Sequence, residues 1–253
     1  MHATPRWAHR GYAGRYPENT LVAFVAGAEA GADGIECDVR LTKDGQFVIL
    51  HDECVDRTTN GHGRVADLSL ADIRDLDAGA WFHDAFAGAR IPTLEALVDY
   101  VAQYPRPLVL NLEWKALKPD DATMQRALAV IYRVGIFEQV LHSSFQEDIL
   151  CAIRRVDSNA RLALLTEPGR DAQDAIQAAK AIGAVAIHPD YRQVTPRFVR
   201  RAHQSGLRVH PYTVDDAKMM AWMEECGVDA IITNWPRAHW PEESGPTTSL
   251  RGY

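Results

Sequence analysis

Short apolar runs that end in polar residues recur along the chain, and a stretch of helical periodicity follows each. The runs are WAHR (7–10), GIECDV (34–39), LVLNLE (108–113), QVLHSS (139–144), RLALLT (161–166), AVAIHP (184–189), LRVHPYTV (207–214) and DAIITN (229–234). Their length and their flanks predict strands. Helical patterns fill the gaps at 20–32, 93–104, 121–135, 145–156, 171–183, 195–206 and 216–227. Several open on a Thr or Asp cap or finish at Gly, which are start and stop signals for helices. Eight strands alternating with helices over 253 residues predict an α/β fold, a (β/α)8 TIM barrel, with a doubly wound open sheet as the competing layout.

One segment breaks this rhythm. After GIECDVRL comes TKDG, with Asp44-Gly45, and then QFVILHD, which reads as a hairpin. A pairing register summing to 87 or 89 places His51 across from Glu36 or Asp38. The residues that follow, with RTTNGHG, DAGAWF and FAGAR, hold little helical periodicity. The pattern predicts a small inserted subdomain at about 42–91, after the second strand of a single 1–253 domain. Only the tail from about 237, with EESGPTTS, reads as loosely ordered.

Composition narrows the setting. A net charge of -7 and a pI near 5.8 argue against a nucleic-acid surface, which needs a broad basic field. A small anion met locally by a metal, Lys or Arg stays open. MHATPRWAHRG has no apolar h-region and no stretch resembles a membrane span, so an unanchored cytoplasmic protein is expected. Cys37, Cys54, Cys151 and Cys226 show no ligand spacing and read as reduced structural cysteines.

Polar residues at the strand ends carry the chemistry, because barrel sites form where the strands finish. In a strand, alternate side chains share a face, so LNLEWK puts Asn111, Glu113 and Lys115 side by side. The first strand ends in His9-Arg10, the second carries Glu36 and Asp38 on one face, and the hairpin ends in His51-Asp52. Carboxylates this close repel, and oxygen ligands suit a hard divalent ion such as Mg²⁺ or Ca²⁺. Arg10 and Lys115 beside that ion would attract an anion, and two histidines could move protons at neutral pH. The set fits phosphoester chemistry better than hydride or acyl transfer. In it Glu113 would hold metal, Lys115 would face phosphate and Asn111 would orient one of them.

Other residues have plainer readings. His142 and His210 sit at strand positions that could face the mouth, but a barrel-core or supporting role is favoured. Tyr212 should point the same way as His210 and line the substrate pocket, with core packing as the alternative. Trp81, Phe82 and Phe86 are read as packing the insertion onto the barrel, Arg197, Arg200 and Arg201 as a solvated helix face, and Asn60-Gly61 as a turn.

HRGYAGRYPENT, ECD, DGQFVILHDECVDRTTNGHG, LNLEWK and TVDDAKMMAWMEECGVDAIITNWP together resemble the glycerophosphodiester phosphodiesterases, above all the short cytosolic bacterial enzymes. The resemblance runs from about Trp7 to Pro236. It implies hydrolysis of glycerophosphodiesters to glycerol 3-phosphate and an alcohol, on a barrel with a small insertion after the second strand. It implies metal ligands at Glu36, Asp38 and Glu113, a catalytic acid and base pair at His9 and His51, and phosphate contacts from Arg10 and Lys115. Likeness to phosphoinositide phospholipases adds an attack by the substrate's own 2-hydroxyl through a cyclic phosphate, with His9 as first base and His51 as first acid. A lyase that stops at the cyclic phosphate and a non-catalytic phosphodiester-binding barrel are the alternatives. Asp215, where many relatives carry Asn, His188, in a stretch where Asn is common, and the Tyr12-to-Arg15 loop depart from the pattern and bear on specificity. Monomer and dimer both remain open.

Overall fold

The computed structural model describes residues 4–115 and 120–237, so the expected loose tail from 238 onward lies outside the described residues. The described residues form nine strands and eight α-helices that alternate except where β2 is followed by β3 and α2 by α3: β1 (Arg6–Ala8), α1 (Leu21–Glu29), β2 (Gly34–Leu41), β3 (Phe47–Ile49), α2 (Leu70–Ile73), α3 (Leu94–Gln103), β4 (Val109–Trp114), α4 (Asp121–Arg133), β5 (Val140–Ser144), α5 (Glu147–Val156), β6 (Leu162–Thr166), α6 (Ala172–Ala181), β7 (Ala186–Pro189), α7 (Pro196–Gln204), β8 (Arg208–Val209), α8 (Ala217–Cys226) and β9 (Ile231–Thr233). Strand neighbours run β8-β7-β6-β5-β4-β2-β1-β9, all parallel, with β3 antiparallel on β2. The two ends of this sheet meet: Asp229 N–H donates to Val209 O at 2.9 Å, Ile232 N–H to Pro211 O at 3.0 Å and Val214 N–H to Ile232 O at 3.0 Å. These bonds close the barrel and exclude the open sheet. The run at 207–214 yields only a two-residue strand, since Pro211 has no N–H to give a ladder.

Helix α3 shows how local sequence becomes architecture. Thr93 Oγ1 caps it by accepting from Ala96 N–H, and Leu94, Leu97, Val98 and Val101 form one buried face. Each such leucine contributes roughly 2 kcal/mol by leaving water. That face joins Leu110, Leu112 and Trp114 from the outward side of β4 in the layer between barrel and helices. Inside the barrel, Trp7, Leu141, Ala163, Ala186, Ala230 and Ile232 fill the lower space and leave the upper rim to polar groups.

The hairpin differs from both expected registers. Val39, Arg40 and Leu41 pair with Ile49, Val48 and Phe47, a sum of 88. The loop is Lys43-Asp44-Gly45, closed by Thr42 N–H to Gln46 O and by a left-handed Gly45, and a three-residue loop shifts the pairing by one. His51 therefore does not lie across from Glu36 or Asp38; it follows the end of β3, where Arg40 Nε and Nη2 clamp its carbonyl at 2.9 and 2.5 Å. The insertion has a small core of its own, Val48, Leu50, Val55, Val65, Ile73, Ala78 and Ile91. Its one α-helix, α2, is a single turn held by a Ser69–Asp72 capping box. The four cysteines are free. Among the described residues no helix is long and apolar enough to cross a membrane.

Candidate active site

The chain leaves β1 through a tight reversal. Arg10 and Gly11 both have positive φ, 52° and 80°, and a Cβ on Gly11 would lie 2.6 Å from the Ala23 carbonyl carbon. This close approach turns His9 and Arg10 over the barrel mouth. Arg10 N–H donates to Glu36 Oε2 at 2.9 Å, its Nη1 to Glu18 Oε1 at 2.8 Å, and its Nε lies 3.5 Å from Asp38 Oδ2. Asn19, also left-handed at φ 57°, is buried and donates through Nδ2 to Asp38 Oδ2 at 2.7 Å.

Strand register then assembles the carboxylates. Glu36 is level with Asn111 and Asp38 with Glu113 on adjacent parallel strands, so all four side chains face inward. Glu36, Asp38 and Glu113 are buried and offer one oxygen each within 4.8 Å of one another. Burial and the Asp38 charge push Glu113 up to about 7, and burial with both neighbouring carboxylates raises Glu36 well above the usual range. Burial would raise Asp38 too, but Lys115 and Arg10 hold it far below its ordinary value. Lys115 Nζ lies 2.9 Å from Asp38 Oδ1 and also bonds Glu113. Glu36 Oε1 and Asn111 Oδ1 are buried with no hydrogen-bond partner. Three crowded carboxylates with an unpaired oxygen are a fitting cradle for a hard divalent cation.

Two histidines flank the cradle. His9 Nδ1 lies 2.8 Å from Asn234 Oδ1, and its Nε2 is 3.9 Å from Glu36 Oε2. Burial, and next the Arg10 charge, lowers His9 to about 4, so its ring is neutral at neutral pH. His51 Nδ1–H donates to Asp52 Oδ1 at 2.7 Å, and Arg57 grips Asp52 Oδ2 at 2.5 Å and Glu18 at 2.8 and 2.9 Å. Burial lowers His51 as well, against the opposing pull of Asp38 and Asp52. Tyr212 is half-buried beside His9, Glu36, Asn111 and Glu113, and its hydroxyl donates to Thr166 O at 3.0 Å, so the ring is the part turned to the pocket.

The structure thus brings together His9, Arg10, Glu36, Asp38, His51, Asn111, Glu113, Lys115 and Tyr212. His142 lies outside the barrel, accepting the Trp114 indole N–H at Nδ1 (3.0 Å). His210 is buried below the mouth, 3.0 Å from His188 and with its ring centroid 4.4 Å from that of Trp7. Phe86 packs on Tyr16 at 5.4 Å and joins the Trp81–Phe82 pair to the barrel, while Tyr12 is buried between Tyr16 and Trp235. Arg197 and Arg200 are exposed on α7. Sequence reasoning did not assign Glu18, Asn19, Arg57 or Asn234 a place in the site. The strings PENT, DRTT and ITNWP that hold them were its signals.

A closed barrel whose mouth carries a carboxylate cradle, two cations and two histidines is chemically suited to a divalent ion and a phosphate ester. The Glycerophosphoryl diester phosphodiesterase family matches residues 9–238. A glycerophosphodiester phosphodiesterase of Caldanaerobacter subterraneus subsp. tengcongensis is 38% identical over 230 residues, 90% of this chain and 93% of that one. A putative glycerophosphoryl diester phosphodiesterase of Silicibacter pomeroyi has a TM-score of 0.84 at 29% identity, covering 92% of this chain and 90% of its own. A phosphodiesterase of Oleispira antarctica, solved in complex with the product sn-glycerol-3-phosphate, has a TM-score of 0.85 at 26% identity, covering 92% and 94%. The chain belongs to the glycerophosphoryl diester phosphodiesterase family and is an enzyme of that class.

Proposed function

We propose that this enzyme hydrolyses glycerophosphodiesters to glycerol 3-phosphate and an alcohol, with Glu36, Asp38 and Glu113 holding one divalent ion, Mg²⁺ or Ca²⁺. The observation that carries the reading is three buried carboxylates, each with an oxygen within 4.8 Å of the others, placed among Arg10, Lys115, His9 and His51. The product bound to the Oleispira antarctica relative supports the substrate class. When bound, the ion neutralises phosphoryl oxygen charge that grows in the transition state.

The chain's own groups do the rest. Arg10 and Lys115 bind the nonbridging oxygens and fix the phosphorus over the mouth. His9 is the better first base, since it is neutral and hydrogen-bonds an uncharged amide. His51 is assigned as first acid because its Nδ1–H is held by the Asp52 carboxylate, which steadies the imidazolium against the lowering by burial, Arg10 and Lys115. His9 takes a proton from the attacking oxygen, which is the substrate's 2-hydroxyl in the cyclic-phosphate route. His51 delivers a proton to the departing alkoxide, and the two exchange roles when water opens the ring. Each transfer is worth roughly 10²–10⁴-fold. The ring of Tyr212 forms one wall for the bound substrate. Four free cysteines suit a cytoplasmic setting.

The test is release of glycerol 3-phosphate from glycerophosphocholine and glycerophosphoethanolamine by metal-stripped protein, with and without Mg²⁺ or Ca²⁺, beside Glu113→Ala. Release that needs the ion and is lost in the variant supports the reading. A cyclic phosphate as the end product, seen by phosphorus NMR, would make the enzyme a lyase, and no turnover with any ion would overturn the proposal.

A further inference from the structure

We propose that Asp215 is a positioning residue: through the side-chain amide of Asn234 it fixes His9 in one tautomer, with the proton on Nδ1 and the Nε2 lone pair turned to the carboxylate cradle. This rests on the reading of His9 as the first proton acceptor.

The hydrogen bonds allow one solution. Asp215 follows β8 and faces the end of β9, where its Oδ1 lies 3.1 Å from Thr233 Oγ1 and 2.8 Å from Asn234 N, and its Oδ2 lies 2.6 Å from Asn234 Nδ2. Thr233 Oγ1 already accepts from Trp235 N–H at 3.0 Å, so its own proton is free to go to Asp215. A carboxylate only accepts, so the nitrogen of the Asn234 amide must face Asp215 and its oxygen must face His9. That oxygen also only accepts. The contact at 2.8 Å therefore requires a proton on His9 Nδ1, and a neutral imidazole has no second one. Nε2 is left bare, 3.9 Å from Glu36 Oε2 and beside the cradle. The partners are 225 and 19 residues apart in sequence, and β9 is where the barrel joins them.

An amide at 215 would remove the constraint. Its own N–H group could face Asn234, which would then turn its oxygen to 215 and its nitrogen to His9. The His9 proton would move to Nε2 and block proton acceptance there. Reversing the pair as Asp215→Asn with Asn234→Asp restores every bond: the new amide donates to the new carboxylate, which accepts from His9 Nδ1–H, while the amide oxygen keeps the Thr233 and 234 main-chain contacts.

The experiment is nitrogen NMR of metal-free protein labelled with ¹⁵N-histidine near pH 8, with the His9 signals identified by their loss in His9→Ala. Wild type should show a protonated Nδ1 and an unprotonated Nε2. Asp215→Asn should move His9 toward the Nε2–H form and lower kcat at least about tenfold with KM nearly unchanged. The Asp215→Asn/Asn234→Asp pair should recover the wild-type spectrum and most of kcat. An Nε2–H form in the wild type, or an Asp215→Asn protein that keeps both tautomer and kcat, would overturn the proposal. The spectra need no turnover, so if the protein failed to cleave any glycerophosphodiester, the function proposed above would fall while the tautomer was still decided.

Discussion

Lys115 Nζ lies 2.9 Å from Asp38 Oδ1 and bonds Glu113 as well, so one ammonium ties together two of the three carboxylates of the cradle. Burial opposes its charge, but Asp38 and Glu113 outweigh that and raise it above an ordinary lysine. Under the function proposed above, Lys115 in the metal-free protein competes for oxygens that the divalent ion would take, and in the reaction it would face the phosphate. Lys115→Met should therefore bind Mg²⁺ or Ca²⁺ more tightly, by roughly tenfold, while turnover falls by about 10²-fold or more. Calorimetric titration of the ion beside steady-state rates separates the two effects. Weaker ion binding in the variant would show that Lys115 supports the cradle instead of competing for it.

Glu113 carries the cost of crowding. Its ordinary value of 4.5 rises to about 7, from burial and then the Asp38 charge. A carboxyl raised on folding costs nothing below its unfolded value and progressively more as pH climbs from 4.5 to 7. Glu113→Gln should therefore make the metal-free protein more stable above pH 7, by roughly 1–3 kcal/mol, with the gain shrinking toward pH 4.5. Thermal melts of both stripped proteins across that range check the sign. The same variant should lose ion-dependent stabilisation.

Short apolar runs between capped helices made the barrel legible, because both are local signals. The period of two within a strand made the cradle legible, since Glu36 with Asp38 and Asn111 with Glu113 share faces whatever the rest of the chain does. What the sequence did not show depends on distance. His51 was placed by a register that one extra loop residue shifts, and the Asn234 partner of His9 stands 225 residues away. Arg57 lies 39 residues from Glu18, and only the docked insertion brings them together. Asp215 was visible as a departure from the family pattern, but its meaning rests on the orientation of one amide.

The insertion must dock closely, because it carries Asp52 and Arg57 behind His51. A Cβ on Gly79 would lie 1.9 Å from the Phe86 carbonyl oxygen, and Phe86 is the ring that meets Tyr16 at 5.4 Å. Gly79→Ala should shift this contact, cost about 2 kcal/mol in urea unfolding, and lower turnover while leaving ion affinity close to wild type. Loss of ion binding along with turnover would mean that the barrel itself is disturbed.

His142 gives a pH signature far from the chemistry. It lies between barrel and helices with Nδ1 taken by the Trp114 indole, and burial lowers it from 6.5 to about 4. A histidine lowered on folding binds its proton first in the unfolded chain. Its contribution to stability is complete above pH 6.5 and is lost as pH falls from 6.5 toward 4. The loss approaches about 1.4 kcal/mol per pH unit within that window. In His142→Phe the titration is gone, and the unpaired Trp114 N–H costs roughly 1–2 kcal/mol at every pH. Wild type should therefore be the more stable at pH 7, and its advantage should shrink and then reverse on acidification. Denaturant curves at half-unit steps measure it, and stability profiles that run parallel from pH 7 to 4.5 would show that His142 does not govern acid unfolding.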